Sequence, residues 1–378
     1  MSRYPKKSAS VVPANVRQRP IQPKYGAVYD ALLKSIRRGE YPSGGKLPTE
    51  TELVEQFKVS RITVIRALRD LQALGVVRRR RGSGSYVEGP KQSKFASIAL
   101  LLPPLEPGSI FSTVHQALLR EAQKREWQIL YHEISERTSA LEAQAALEPL
   151  WQNDIRGFLY LPLPVQPQCA EINELIAGQC VARKLPLVLL DRDLHKLHDR
   201  SRFDVVGSDN ELGGFLAGRH LIQRGCSRIV FLTDAREHPT AEARLEGVGN
   251  AVRLDPAVSM QICSGDGDNR EMLEHMLKEH RPDAIACVND MTAAKVMRQL
   301  LKLGIKIPEQ IKLTGFDDTS TAALLAVPLT TVRQSPEAMA IEAMTVLQQR
   351  MERPDLPAIT LSIACALVAR ESTAASAT

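Results

Sequence analysis

From Ala96 onward, short uninterrupted apolar runs alternate with amphipathic helical stretches, and this alternation restricts the fold more than any other feature of the chain. Strands are expected near Ile98–Leu102, Ile129–His132, Gly157–Leu161, Leu187–Leu190, Arg228–Leu232, Ala284–Val288 and Ile311–Phe316. Helices such as Thr113–Arg125, Leu212–Arg224 and Thr292–Leu303 fall between them. Strands that are apolar along their whole length are covered on both faces, which is the α/β arrangement with parallel sheets. About 280 residues are more than one doubly wound sheet usually holds, so two lobes with a cleft between them are expected.

The first 95 residues are different in kind. They carry 20 basic against 7 acidic side chains, a balance of +13, which leaves −7 for the rest of a chain whose formal charge is +6. A basic module on a mildly acidic body is the pattern of a DNA-binding unit coupled to something else, because phosphates attract only the basic part. A solvated basic face is the alternative that charge alone leaves open. Residues 1–22, with five basic residues and three prolines, read as a flexible tail. Val28, Leu32 and Ile36 recur at helical spacing between Pro23 and Gly39. Thr49-x-x-Glu52 is a capping box ahead of a short second helix. Ser60 can cap a third, whose stripe Val64, Ala67, Leu68 and Leu71 ends before Gly75 and leaves Arg61, Ile65, Arg66 and Arg69 off the buried side. Val76–Arg81 and Ser85–Val87 around Gly82-Ser83-Gly84 read as a β-hairpin. Three helices and a hairpin make a winged helix-turn-helix with its third helix placed for a major groove. Gly39–Lys46 is a turn; it fails the phosphate-loop pattern at Gly45 and Leu47. Arg78, Arg79, Arg80 and Arg81 at the base of the hairpin are expected to clamp phosphates, with a solvated strand face as the alternative.

The run Gly39-Glu40-Tyr41-Pro42-x-Gly44-x-Lys46-Leu47-Pro48-Thr49-Glu50, then Val59-Ser60-Arg61-x-Thr63-Val64 and Gly82-x-Gly84-Ser85-Tyr86-Val87, resembles the GntR family of bacterial transcription factors over residues 23–88. The resemblance implies double-stranded DNA as partner. It places Ser60, Arg61 and Thr63 at the DNA-contacting start of the recognition helix, and Gly82, beside Ser83, at the wing tip. Thr51 and Ile65 stand where the family often has arginines, and an isoleucine can touch only a thymine methyl where an arginine fork reads guanine, so the usual operator sequence does not transfer. Arg66 is a neighbouring substitute, turned about 100° round the helix.

Glu88–Lys94, with Gly89 and Pro90 among charged residues, marks a linker over 89–95. Beyond it, Leu187-Val188-Leu189-Leu190-Asp191-Arg192, Val205-Val206-Gly207-Ser208-Asp209-Asn210-Glu211-x-Gly213-Gly214, Ala243-Arg244-Leu245-Glu246-Gly247, Asn289-Asp290, Gly315-Phe316-Asp317-Asp318, Pro328-Leu329-Thr330-Thr331-Val332 and Arg370-Glu371-Ser372 resemble, in order, the lactose-repressor/galactose-repressor sensor domain over residues 96–373. That fold is shared with periplasmic sugar-binding proteins. The resemblance implies that Arg244, Asn289 and Asp317 contact an effector, with Asp191, Gln334 and Phe111 as further candidates carried by fewer matching neighbours. Strand-end carboxylates and amides suit vicinal hydroxyls, and an aromatic can stack on a ring, so sugar-like and purine-like effectors both fit. Asp209, Asp290 and Asp318 read as helix caps or strand-end turns. Arg244 and Asp317 have a structural salt bridge as their alternative, and Phe111 has the core. Gly267 and Leu161 depart from the sugar-binding pattern, which leaves the ligand class open. A GntR-like head on this body resembles the arabinose-responsive repressor type.

The expected function is therefore an effector-controlled transcription regulator: a homodimer whose sensor domains hold two heads on a palindromic operator. A transport receptor would account for the body alone and leave the basic head unexplained. An enzyme finds no support, since no G-x-S-x-G, H-E-x-x-H, P-loop or Schiff-base lysine context is present. No cofactor is expected. The six cysteines, Cys169, Cys180, Cys226, Cys263, Cys287 and Cys365, form no C-x-x-C pair and are expected reduced, mostly buried and metal-free. No apolar stretch approaches the ~20 residues of a bilayer span and no hydrophobic core follows Arg3, Lys6 and Lys7, so a cytoplasmic protein is expected.

Overall fold

A computed structural model describes residues 24–374 apart from 38–39, 42–43, 74–75, 81–82, 88–95, 106–108, 152, 196–198 and 235–237. The chain divides into two units between Lys94 and Phe95. The expected tail over 1–22 and the linker over 89–95 lie outside the described residues.

In the first unit, helix α1 spans Lys24–Arg37, α2 Glu50–Phe57 and α3 Arg61–Ala73, followed by strands β1 Val77–Arg80 and β2 Gly84–Val87. The capping box at α2 forms as the spacing requires. Thr49 Oγ1 accepts from the Glu52 amide at 3.3 Å while Glu52 Oε2 accepts from the Thr49 amide at 2.6 Å, so two orphan donors of the first turn are satisfied. Val28 and Leu32 of α1, Leu53 of α2, Val64, Ala67, Leu68 and Leu71 of α3, and Val77 and Val87 of the hairpin form one buried cluster. Strands β1 and β2 are antiparallel with Arg79 opposite Ser85 and Arg80 opposite Gly84.

The second unit continues with β3 Ser97–Leu102, α4 Ile110–Lys124, β4 Gln128–Glu133, α5 Ala140–Trp151, β5 Ile155–Tyr160, α6 Pro167–Ala182, β6 Leu187–Leu190 and β7 Asp204–Ser208. Then come α7 Asn210–Gln223, β8 Arg228–Thr233, α8 Pro239–Arg253, β9 Ser259–Ser264, α9 Arg270–His280, β10 Ala284–Cys287, α10 Asp290–Lys302, β11 Lys312–Asp317, β12 Thr330–Arg333, α11 Pro336–Glu352, β13 Thr360–Ile363 and β14 Ala366–Val368. They build two six-stranded sheets, ordered β13-β7-β6-β5-β3-β4 and β14-β12-β11-β10-β8-β9, with every pairing parallel except β12 with β14. These are the two parallel lobes expected. Ile98, Leu100, Leu159 and Val188 face one layer of the first sheet, and Ala99, Leu101, Phe158 and Leu189 the other, so both sides are covered as continuous apolar strands require. Helix α11 follows β12 of the second sheet in sequence yet packs through Met339, Ala340, Ala343 and Leu347 on the first. The chain therefore changes lobes after β7, after β12 and after β13.

Strands β7, β9, β12, β13 and β14 escape the sequence expectation. Strands β9, β13 and β14 are sheet edges with partly exposed, polar-interrupted faces, so they lack the continuous apolar signature. All six cysteines are free thiols, five of them buried and Cys263 half-buried. Among the described residues no helix is long and apolar enough to cross a membrane.

Candidate functional site

On the first unit, the start of α3 is held by Ser60, whose Oγ accepts from the Thr63 amide at 3.3 Å and lies 2.8 Å from Thr63 Oγ1. Arg61 follows, with three quarters of its side chain exposed and its Nε donating to Glu50 Oε2 at 3.0 Å. Glu50 also takes Arg79 from β1, through its other oxygen. One carboxylate on α2 thus orients an arginine of α3 and an arginine of β1. Arg66 and Arg69 are exposed on the following turns of α3. Ser83 Oγ lies 2.6 Å from the Tyr86 hydroxyl across the wing, and Arg80 sits on β1 opposite Gly84. Arg81 and Gly82 lie outside the described residues. Glu50 was not among the expected site residues. Its acidic character at the first position of α2 reads as a helix-dipole partner, and only the crossing of α2 with α3 reveals the second use.

On the second unit, candidate residues collect at the carboxyl ends of parallel strands, where α/β sheets bind their ligands. From the first lobe come Asp191 and Arg192 just beyond β6, and Phe111 in the first turn of α4. Asp191 adopts a left-handed backbone, φ 67°. Its Oδ2 accepts from Arg192 Nη1 at 3.0 Å, and Arg192 Nε donates to the Pro162 carbonyl at 2.8 Å. Burial pulls the Arg192 guanidinium below its usual range while Asp191 opposes the shift. The guanidinium stands 5.8 Å from the Phe111 ring, and Phe111 is partly buried against the lobe's core.

From the second lobe come Arg244 on α8, Asn289 ahead of α10, Asp317 at the end of β11 and Gln334 beyond β12. Arg244 is buried with its guanidinium carbon 3.7 Å from the centroid of the Phe316 ring, a close cation–π contact. Its Nε donates to Asn210 Oδ1 and its Nη1 to the Val288 carbonyl, both at 2.8 Å, and its Nη2 lies 3.7 Å from Asp317 Oδ1. Gln334 Nε2 donates to the same Asp317 oxygen at 2.6 Å. Asp317 has φ 113°, a strained value for a residue with a side chain. Burial raises its pKa to about 7 against the pull of Arg244 and of the Gln334 hydrogen bond, and Asp191 adds to the rise from the opposite lobe.

Asn289 spends its Oδ1 as the N-cap of α10, accepting from the Thr292 amide at 2.8 Å. Asp290, expected as a cap or turn, does not cap. It lies buried behind the cleft, accepting from Thr331 Oγ1 at 2.5 Å and from the Thr319 amide at 2.8 Å, with its pKa pushed to about 6 by burial. Asp209 does cap α7, through the Leu212 amide. Asp318 is an ion-pair hub between Arg333 and Arg370. Gly267 is buried where a Cβ would stand 3.0 Å from the Thr292 carbonyl, so the position is closed to an aromatic without rearrangement of α10. A separate concavity of about 210 Å³ beside Asp204 and Leu356 is a poorer candidate, because Arg350 within it is already consumed by Asp204 and by backbone carbonyls.

Residues 24–87 match the bacterial regulatory proteins of the gntR family, and residues 219–373 match the periplasmic binding protein-like domain. The chain carries a GntR-type domain at its head and a periplasmic-binding-protein-like domain in its body. An arabinose metabolism transcriptional repressor of Geobacillus stearothermophilus is 27% identical over 353 residues, covering 88% of this chain and 92% of that protein. The HTH-type transcriptional repressor PurR of Aliivibrio salmonicida is 28% identical over 191 residues, 49% of this chain and 56% of the relative. A solved periplasmic binding protein/LacI transcriptional regulator of Alkaliphilus metalliredigens, complexed with D-xylulofuranose, superposes with a TM-score of 0.59 at 23% identity, covering 74% of this chain and 99% of the solved chain. The last likeness establishes the fold of the body.

Proposed function

We propose that the protein is a cytoplasmic repressor-type transcription factor whose operator binding is controlled by a neutral, sugar-like effector held between the lobes of the body. The observation that carries this reading is the pairing of the cleft's polar groups. Asp191 pairs with Arg192, and Asp317 faces both Arg244 of α8 and the Gln334 amide, so each carboxylate and each guanidinium already has a partner and no lone charge is left for an ionic ligand to claim. Paired carboxylates and guanidiniums offer acceptors and donors to vicinal hydroxyls, and the Phe111 ring supplies an apolar surface for a sugar face. The names of the arabinose-metabolism relative and of the D-xylulofuranose complex support the same class.

The exposed Arg61, Arg66 and Arg69 on α3, with Arg79 on the wing, supply the DNA-reading half of the proposal. A homodimer formed by the bodies would present two heads to a palindromic operator, and closure of the cleft on an effector would change their placement. Thermal shift of the purified protein against pentoses, hexoses, sugar phosphates, disaccharides, nucleosides and purines tests the effector. A ligand at ~100 times its Kd adds about 2.7 kcal/mol, a shift of a few degrees for a domain of this size. A neutral monosaccharide hit that also alters binding to DNA from the gene's own locus supports the proposal. A response confined to sugar phosphates or purines overturns the assigned ligand class, and absence of specific DNA binding overturns the regulator.

A further inference from the structure

Three segments carry the chain from one lobe of the body to the other: 208–210 between β7 and α7, 333–336 between β12 and α11, and 363–366 between β13 and β14. They run side by side, with the Asp209 amide donating to the Ile363 carbonyl at 2.8 Å. Side chains of the first two meet directly: Ser208 Oγ donates to Gln334 Oε1 at 2.6 Å. Both groups are buried, as is Cys365 on the third. From this junction the contacts lead directly to the candidate effector residues: Gln334 Nε2 donates to Asp317 Oδ1, which also faces Arg244.

A side-chain amide turned by 180° exchanges its donor end for its acceptor end. With its oxygen held by the serine hydroxyl, Gln334 has its nitrogen toward the carboxylate. Turned the other way, it would set an amide oxygen against an ionised Asp317. We propose that Ser208 is a positioning residue for the effector site: an ionised Asp317, which can only accept, selects the orientation of the Gln334 amide, and the Ser208 hydroxyl, donating to its oxygen end, locks the amide in place against the carboxylate. The role belongs to the crossover strands, so the hydrogen-bonding state of Asp317 and the local geometry of the hinge are set together. Its functional meaning rests on the reading of Asp317 as an effector contact; the lock itself does not.

The lock can be tested on the full-length protein with no effector present. Selective ¹⁵N-glutamine labelling makes the Gln334 side-chain NH₂ visible, and the signal is assigned by its disappearance in Gln334→Ala. Arg244, Asp290 and Asp191 all act electrostatically on Asp317, whose pKa is raised to about 7, so its ionisation falls within reach of a titration from about pH 5 to 9. In the wild type, the Gln334 amide protons are expected as two resolved signals that move with that ionisation, and Asp317→Asn removes the movement. In Ser208→Ala the pH-dependent movement is lost, and Ser208→Thr, which keeps the hydroxyl, restores it. A Ser208→Ala variant with wild-type signals and wild-type pH response overturns the proposal. Should that variant not fold, the wild type decides: signals averaged by rapid turning of the amide also overturn it. A failed sugar screen leaves these outcomes untouched, and a failed lock leaves the screen interpretable.

Discussion

Asp317 is a buried carboxylate beside an arginine that is only 3.7 Å away yet does not keep it strongly acidic, because burial outweighs the pull. With a pKa of about 7 in the folded protein against 3.8 ordinarily, its contribution to stability is fully present below about pH 4 and is lost as pH rises through 7. Asp317→Asn is therefore expected to flatten the decline of Tm between about pH 4 and 7, read by thermal melts of the unliganded protein. The same substitution is expected to abolish the effector response while operator affinity stays near wild type. Loss of DNA binding by a folded Asp317→Asn protein would contradict the separation of sensing from reading. At the head, Arg61→Ala is expected to cost about 1–3 kcal/mol at the operator and to relax specificity at one base position, whereas a uniform loss on all sequences would mark a phosphate contact. Glu50→Ala should change stability by less than about 1 kcal/mol, since its partner Arg61 is exposed. Competition binding should nonetheless show a reduced ratio of operator to random-DNA affinity, because Arg61 and Arg79 lose their common anchor.

Helices α7 and α8 show how the packing of two elements can position a site residue. A Cβ on Gly214 would meet the Arg244 carbonyl at 2.1 Å and one on Gly247 would meet the Glu211 carbonyl at 2.0 Å, so the two backbones cross with no room for side chains between them. Arg244 sits at that crossing and donates to Asn210 at the start of α7. Gly247→Ala is expected to destabilise by about 1–3 kcal/mol through overpacking, seen as a lower Tm, and to weaken effector binding beyond what the stability loss explains, because α8 must shift and carry Arg244 with it. Wild-type effector affinity in a destabilised Gly247→Ala protein would detach the crossing from the site. The glycines of Gly213-Gly214 and Glu246-Gly247 were visible in the sequence as motif members, but their reason was not, since close approach of two helices is a tertiary fact. The same limit separates legible from illegible elsewhere. The stripe Val64, Ala67, Leu68 and Leu71 predicts both helix and buried face from spacing alone, and all four are fully buried. Strand β9 could not be read, because an edge strand with Ser259, Gln261 and Ser264 exposed lacks the pattern that betrays a central one. Asn289 and Asp290 are neighbours of which one caps α10 and the other is buried against Thr319 and Thr331, partners that arrive from elsewhere in the chain.

At the scale of the whole chain, charge is segregated as sharply as structure, with +13 on residues 1–95 and −7 on the remainder. Binding driven by phosphate neutralisation weakens steeply with salt, because each neutralised phosphate releases counterions, while binding of a neutral ligand in a charge-balanced cleft does not. Operator affinity measured at several salt concentrations should therefore fall linearly on a log–log scale, and effector affinity measured under the same conditions should stay nearly level. Arg79→Ala, which removes a guanidinium at the base of the wing, should weaken binding to all DNA sequences alike and lower the slope by about one if the wing clamps a phosphate. An unchanged slope would return Arg79 to the structural role that its pairing with Glu50 also permits. A steep salt dependence of effector binding would instead show that the cleft receives a charged ligand, and would replace the neutral-sugar reading with a sugar phosphate or another anion while leaving the assignment of head and body intact.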